Sequence, residues 1–229
     1  MDYLLAAFAW LADSSHWTGR SGIPNRLLQH LAVTSVVVSI AAVIALPIGI
    51  LIGHTHRGSG VVGAIVGAAR SIPTLGLLTL FGLGLGIGLR APILALVVLA
   101  MPSLLAGAYA GIETVKPEVT DAARAIGLSE WQIVSRVEIP LSAPVIIGGI
   151  RSATLQVVST ATLAAYIADA GLGRFLFTGL KTRDYAQMVG GAIMVITLAL
   201  ILELILAGIQ RLARRISHPQ LLTTTMKRN

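Results

Sequence analysis

The apolar positions of this chain fall into five blocks, at residues 31–53, 60–88, 91–112, 141–168 and 188–210, and the polar positions cluster between them. Each block holds the roughly 20 apolar residues that carry a helix across a bilayer core. The first contains no charged residue and ends in His54-Thr55-His56-Arg57-Gly58. The second is interrupted once, by Arg70-Ser71-Ile72-Pro73. The third holds Pro102, the fourth Arg151 and the fifth Glu203. This pattern predicts an all-α polytopic membrane protein of about five transmembrane helices. Residues 3–12 make a further apolar run, too short to span. Asp2 stands where a secretory signal would be basic. Tyr3, Phe8, Trp10 and Trp17 suit a helix lying in the outer interface, the alternative being a frayed terminus.

Composition agrees and adds a direction. The chain is 55% hydrophobic and 12% charged, against about 25% charged in soluble domains. A net charge of +7 would suit a nucleic-acid binder. Yet the cations lie in loops and tail, with no basic helix face interleaved with aromatics. Membrane lipid is the expected partner and nucleic acid is not. Five spans put the termini on opposite sides. A cytoplasmic C-terminus leaves nine Lys and Arg residues inside and six outside, as positive-inside orientation requires. Zero cysteines exclude disulfides and thiolate metal sites.

The most polar internal segment lies between the third and fourth blocks, at residues 113–140. Pro117 suits a first helical position, with Glu118 and Asp121 near the positive end of the helix dipole. Val119, Ala122, Ala123 and Ile126 fall at i, i+3, i+4 and i+7, a narrow apolar stripe. Gly127 can adopt the left-handed conformation that ends a helix. Ser129 with Gln132 forms a capping box for a second helix, expected to stop before Pro140. The prediction is a helical hairpin whose small, flat face either seats on another protein or packs on its own bundle.

Asp121-Ala122-Ala123-Arg124-Ala125-Ile126-Gly127, nine residues, then Val137-Glu138-Ile139-Pro140 resembles the cytoplasmic EAA loop of bacterial ABC-importer permeases. The family pattern is Glu-Ala-Ala, three residues, Gly, nine residues, Ile-x-Leu-Pro; here Asp121, Val137 and Ile139 are the departures. The resemblance covers roughly residues 23–211. Arg70-Ser71-Ile72-Pro73-Thr74-Leu75, Gly149-Ile150-Arg151-Ser152-Ala153-Thr154, Thr160-Ala161-Thr162-Leu163-Ala164-Ala165 and Gly171-Leu172-Gly173 look like the osmoprotectant branch, for glycine betaine, carnitine and choline. The methionine-type permeases are the neighbouring alternative.

The resemblance implies a methionine-importer-like type I permease fold. It also implies ATPase coupling through Asp121, Ala122, Ala123, Gly127 and Pro140. The expected partners are cytoplasmic ATPase subunits, a second permease (a copy or a paralogue) and an extracytoplasmic binding protein. Residues 1–26 become an extracytoplasmic segment, 27–212 the permease domain and 213–229 a basic cytoplasmic tail, with no fused binding domain expected.

No phosphate loop is present: Gly179-Leu180-Lys181-Thr182 has the wrong spacing. The chain is expected to bind no cofactor, with ATP and magnesium in a separate ATPase. Arg70, Thr74, Arg151, Gln156, Thr160 and Thr162 are candidates for the translocation path, since ionisable and polar groups inside spans usually face a cavity or the bundle interior. Equally, Arg70 and Arg151 could tie helices together, and Glu203 could pair locally near Arg211. The hydroxyls could serve helix packing. A self-powered secondary transporter or an intramembrane enzyme would be different solutions. The loop argues against the first. Against the second, the spans hold no His or carboxylate pair, and His54 and His56 sit in a short loop without further ligands.

Overall fold

The computed structural model describes residues 2–217, apart from the side chains of Val61 and Arg70. The tail beyond 217 therefore lies outside the described residues. The chain forms α1 (Asp2–Ala12), a 3₁₀ turn (Ser14–Trp17), α2 (Ile23–Thr55), α3 (Ser59–Ser71), α4 (Thr74–Leu85), α5 (Arg90–Glu113), α6 (Pro117–Ala125) and α7 (Glu130–Ile133). A π turn (Val134–Glu138), α8 (Ile139–Ala164), α9 (Gly173–Thr182) and α10 (Tyr185–Ser217) follow. Among the described residues, four helical stretches are long and apolar enough to cross a membrane: Ile23–Thr55, Arg90–Glu113, Glu130–Ala164 and Tyr185–Ser217. The pair α3 and α4 makes a fifth if counted as one span.

Boundaries differ from the sequence expectation where backbone chemistry intervenes. The second block becomes two helices, because Pro73 removes a donor and disfavours helix at Ile72. The fourth ends at Ala164 rather than 168, and the chain then forms α9 before Asp184 starts α10. The Asp184 carboxylate accepts the Gln187 N–H at 3.0 Å. Gly179, in the false phosphate-loop match, serves packing: a Cβ there would lie 2.7 Å from the Asp184 carbonyl.

The chain divides into two compact units that interleave in sequence. The first comprises residues 1–41, 69–100 and 154–202. Its core gathers Trp10, Ile23, Val158, Leu172, Phe175, Val195 and Leu198. Helix α1 is anchored rather than frayed: Trp10 packs edge-on to Phe175 at 5.3 Å and covers Gly190, where a Cβ would meet the indole at 2.6 Å. Its other face leaves Tyr3, Leu4, Leu5 and Phe8 exposed.

A polar ridge also runs inside this unit. Arg26, His30 and Thr34, at i, i+4 and i+8 on α2, are all buried. Arg26 donates to the Asp169 carboxylate at 2.9 Å and to its carbonyl at 2.8 Å. His30 receives the Leu172 N–H on Nδ1 at 3.3 Å, so its ring proton sits on Nε2, 3.0 Å from the Val158 carbonyl. Gly171 has φ +76 with His30 Nδ1 3.0 Å from where its Cβ would be, so only glycine fits that turn.

The second unit comprises residues 42–68, 101–153 and, of the described residues, 203–217. Three helices meet in it through glycine. Gly49 and Gly53 of α2 lie on α5, where added Cβ atoms would stand 2.7 Å from the Cβ atoms of Ala108 and Ile112. On α5, Gly107 faces Gly149 of α8, an added Cβ being 2.6 Å from the Gly149 Cα. Both α2 and α5 thus carry Gly-x-x-x-Gly steps, which let helix backbones approach where no hydrophobic force drives them together.

Substituting Gly107→Val should lower the thermal stability of the purified chain by about 1–3 kcal/mol through overpacking. Gly84→Ala should be neutral or stabilising, since nothing lies within 4 Å of its Cβ position and alanine favours helix by about 1 kcal/mol. Detergent thermal melts of the two variants check the contrast.

Candidate functional site

The polar loop between α5 and α8 forms as its sequence predicts, up to its end. Lys116 caps α6 with Pro117 in its first turn. At the other end Gly127 has φ +87. Its N–H bonds the Arg124 carbonyl at 2.9 Å and the Leu128 N–H bonds the Ala123 carbonyl at 3.1 Å. This pair of bonds is the Schellman termination, which needs a left-handed residue where glycine stands. The capping box is complete: Gln132 N–H bonds Ser129 Oγ at 3.4 Å and Gln132 Oε1 accepts the Ser129 N–H at 2.9 Å.

The second helix does not stop before Pro140; α7, the π turn and α8 run on through it. Proline cannot donate, and its ring crowds the carbonyl four residues back. The turn before it opens to the wider pattern, with the Ile139 N–H reaching back five residues to Val134. Farther on, Pro144 leaves the Pro140 carbonyl without its helical donor, and Ser217 Oγ fills the gap at 2.7 Å.

The apolar stripe of α6 splits. Ala123 is turned inward and buried, whereas Val119, Ala122 and Ile126 are exposed, as is Trp131 in α7. Arg124 fixes this surface. Its guanidinium forks onto Glu130 at 2.9 and 3.1 Å and reaches Asp121 at 2.9 Å. Glu130 first, and Asp121 after it, raise the Arg124 pKa above its usual value. His54 joins the same network, with Nε2 3.2 Å from Glu130 and Nδ1 2.8 Å from the buried Glu138. It lies in the last turn of α2 rather than in a loop, and it has two carboxylate neighbours. His54, Asp121, Arg124 and Glu138 border a cleft of about 330 Å³ that also involves His56 and Thr120. Among the described residues no cluster has the makeup of a metal site. Arg124, Glu130, His54, Glu138 and Trp131 were not singled out for this role by sequence. The contacts cross the loop, and only Arg124 with Asp121 has a readable helical spacing.

The candidates inside the spans separate by their partners. Arg151 ties α8 to α10: it pairs with Glu203 and donates to Gln210 Oε1 at 2.9 Å, while Gln210 donates to the Pro144 carbonyl at 2.9 Å. Glu203 is therefore engaged across helices rather than locally. Glu203, Gln210 and Ser217 recur every seven residues, so one face of α10 carries all three links to α8. Thr160 and Thr162 bond carbonyls of their own helix, those of Gln156 and Ser159, at 2.7 Å each. Gln156 is exposed in this chain and Thr74 opens α4 half-buried. Arg70 has its side chain outside the described residues.

Residues 45–218 match the family described as binding-protein-dependent transport system inner membrane component. The chain belongs to that family. It is an importer permease subunit of the inner membrane and not an enzyme; ATP is hydrolysed by a separate subunit. The permease is 33% identical to the glycine betaine/carnitine/choline transport system permease protein OpuCB of Bacillus subtilis (strain 168), over 80% of this chain and 84% of that one. It is 34% identical to the carnitine transport permease protein OpuCB of Listeria monocytogenes with the same coverage. It is 32% identical to the osmoprotectant import permease protein OsmW of Salmonella typhimurium (strain LT2), over 80% and 87%. Its fold matches an inward-facing structure of the MetNI methionine ABC transporter with a TM-score of 0.72 at 23% identity, covering 83% of the permease and 95% of that chain.

Two outcomes test this geometry. Arg151→Met and Glu203→Leu should each lower the permease's thermal stability, on the order of 0.6–1.7 kcal/mol per lost hydrogen bond. The double variant should melt above either single, because each single leaves one charge unpaired. Gly127→Val should destabilise the end of α6 by about 1–2 kcal/mol and Gly127→Asn by less. The position is sterically open, so only the left-handed backbone is at issue; hydrogen exchange of the Leu128 amide reports it.

Proposed function

We propose that this permease carries a quaternary-ammonium compatible solute of the glycine betaine, carnitine and choline class, driven by an ATPase that seats α6. The observation that carries the coupling half is the uncovered surface of Val119, Ala122, Ile126 and Trp131, held in register by Arg124 and closed by Gly127. A rigid, small apolar face projecting from a polar loop suits a groove on a partner protein. Asp121, beside it, offers a charge at the rim.

The substrate half is supported by what relatives at 32–34% identity are named for. The spans carry too few aromatics for a cation–π cage, so high-affinity selection belongs to a separate binding protein. The path between two permeases, copies or paralogues, is lined by Thr74, Gln156, Thr160 and Thr162, with Arg70 at the break between α3 and α4. Arg151 holds α8 to α10 instead. The N-terminus lies outside and the C-terminus in the cytoplasm, on the same side as α6, in keeping with the nine-to-six bias of cations. A methionine-type substrate is the second reading, favoured by the fold match to a methionine transporter.

Reconstituted with its ATPase and binding protein, the permease should import labelled solute only with ATP, and not alone. Glycine betaine, carnitine or choline should compete, and methionine should not; competition by methionine only would move the substrate to the second reading. Ala122→Asp, at normal membrane abundance, should abolish uptake by placing a charge on the docking face. Concentrative uptake by the permease alone would overturn the importer assignment.

A further inference from the structure

We infer that His54 is a positioning residue that joins the coupling loop to the membrane bundle, so that movement of α6 reaches α2 through a clamp of two carboxylates. The inference rests on the proposal that α6 seats the ATPase.

The post on which the clamp stands is rigid. Gly53, the residue before His54, lies against α5 with no room for a Cβ, and Gly49 does the same one turn earlier. The end of α2 is therefore seated directly on α5, its backbone against the Cβ atoms of Ala108 and Ile112. Beyond His54 the helix stops abruptly, with His56 in the left-handed region at φ 52, an unusual conformation for a residue other than glycine. The His54 side chain is only 13% exposed, wedged between the loop and the helix that bears it.

The moving part is the loop. Glu138 closes the π turn, the joint between α7 and α8, and its side chain is only 6% exposed. Wide turns of this kind recur inside helices at functional joints. Glu130 stands eight residues earlier, at the start of α7, and is forked by Arg124 of α6. His54 Nδ1 meets Glu138 at 2.8 Å and Nε2 meets Glu130 at 3.2 Å. A carboxylate only accepts, so a ring with both N–H groups satisfies both contacts. The chain of contacts is thus α6 through Arg124 to Glu130, Glu130 through His54 to Glu138, and His54 by its own backbone to α2. A push on α6 is passed to α2 directly and to the π turn before α8. Glu138, with its side chain buried, would lose a hydrogen bond if that partner were removed.

The test uses the full complex of permease, ATPase and binding protein in proteoliposomes and reads ATP hydrolysed per solute imported. His54→Ala should co-purify with the ATPase in normal ratio but raise ATP per solute about tenfold, within the range seen for coupling between distinct sites. His54→Arg, which can donate to both carboxylates, should recover most of the coupling. Glu138→Gln, of the same shape, should act in the same direction as His54→Ala and decides the matter if that variant folds poorly. An unchanged ratio in His54→Ala or in Glu138→Gln overturns the inference. So does loss of ATPase binding in His54→Ala, which would make His54 part of the docking face. Ala122→Asp run in parallel separates the two ideas: full uptake by that variant removes the coupling role of α6 itself, whereas loss of uptake there with normal coupling in His54→Ala removes only the role of His54.

Discussion

Inside hydrocarbon no water stands by to satisfy a freed carbonyl or an unpaired charge, and each must find its partner within the protein. The helix α8 shows the same demand for partners from its loop-side start at Pro140 to Arg151 within the span. Pro140 and Pro144 interrupt its donor ladder, and the cross-helix bonds from Ser217 and Gln210 fall on the carbonyls of those prolines. Arg151 would be costly alone; Glu203 and Gln210 of the same α10 face engage it. Three links spaced seven residues apart therefore set the register between α8 and α10. Helix register here is decided by polar satisfaction, since apolar side chains are as content against lipid as against one another.

Glycine supplies the complementary rule. Where α2, α5 and α8 meet, backbones come close enough that even a methyl group would collide, which turns dispersion into the main attraction between these helices. Close approach also makes the contact stiff, because nothing soft lies between the two backbones. A stiff bundle end and a loop held by charge are different materials. The loop keeps its exposed apolar surface only because Arg124 and the Gly127 termination bear its shape without burying it. For a surface that must stay open for a partner, ion pairs and caps replace the core that a soluble helix would use.

Much of the loop was legible in sequence because its signals are local. Pro117 at a helix start, glycine at its end and the Ser129–Gln132 box each act within one turn, and all three took the predicted form. The stripe from Val119 to Ile126 was legible as a pattern but not as a face: periodicity shows which residues align, and packing alone turned Ala123 inward and left Ala122 outside. The expected stop before Pro140 failed for a similar reason. A proline forbids one hydrogen bond, and the chain could either end the helix or widen a turn; the burial of Glu138 at the end of that turn accompanies the second choice.

The membrane class, the helical loop and the family were all legible along the chain, because these depend on composition, run length and fixed spacing; whether the broken second block counts as a fifth span was not. Tertiary structure decided the partners. That Arg151 belongs to Glu203, 52 residues away, that His54 sits between Glu130 and Glu138, and that His30 holds the loop at Leu172 are facts of placement. A charge in a sequence carries its demand for a partner but not its address, and only the packing of helices supplies the address.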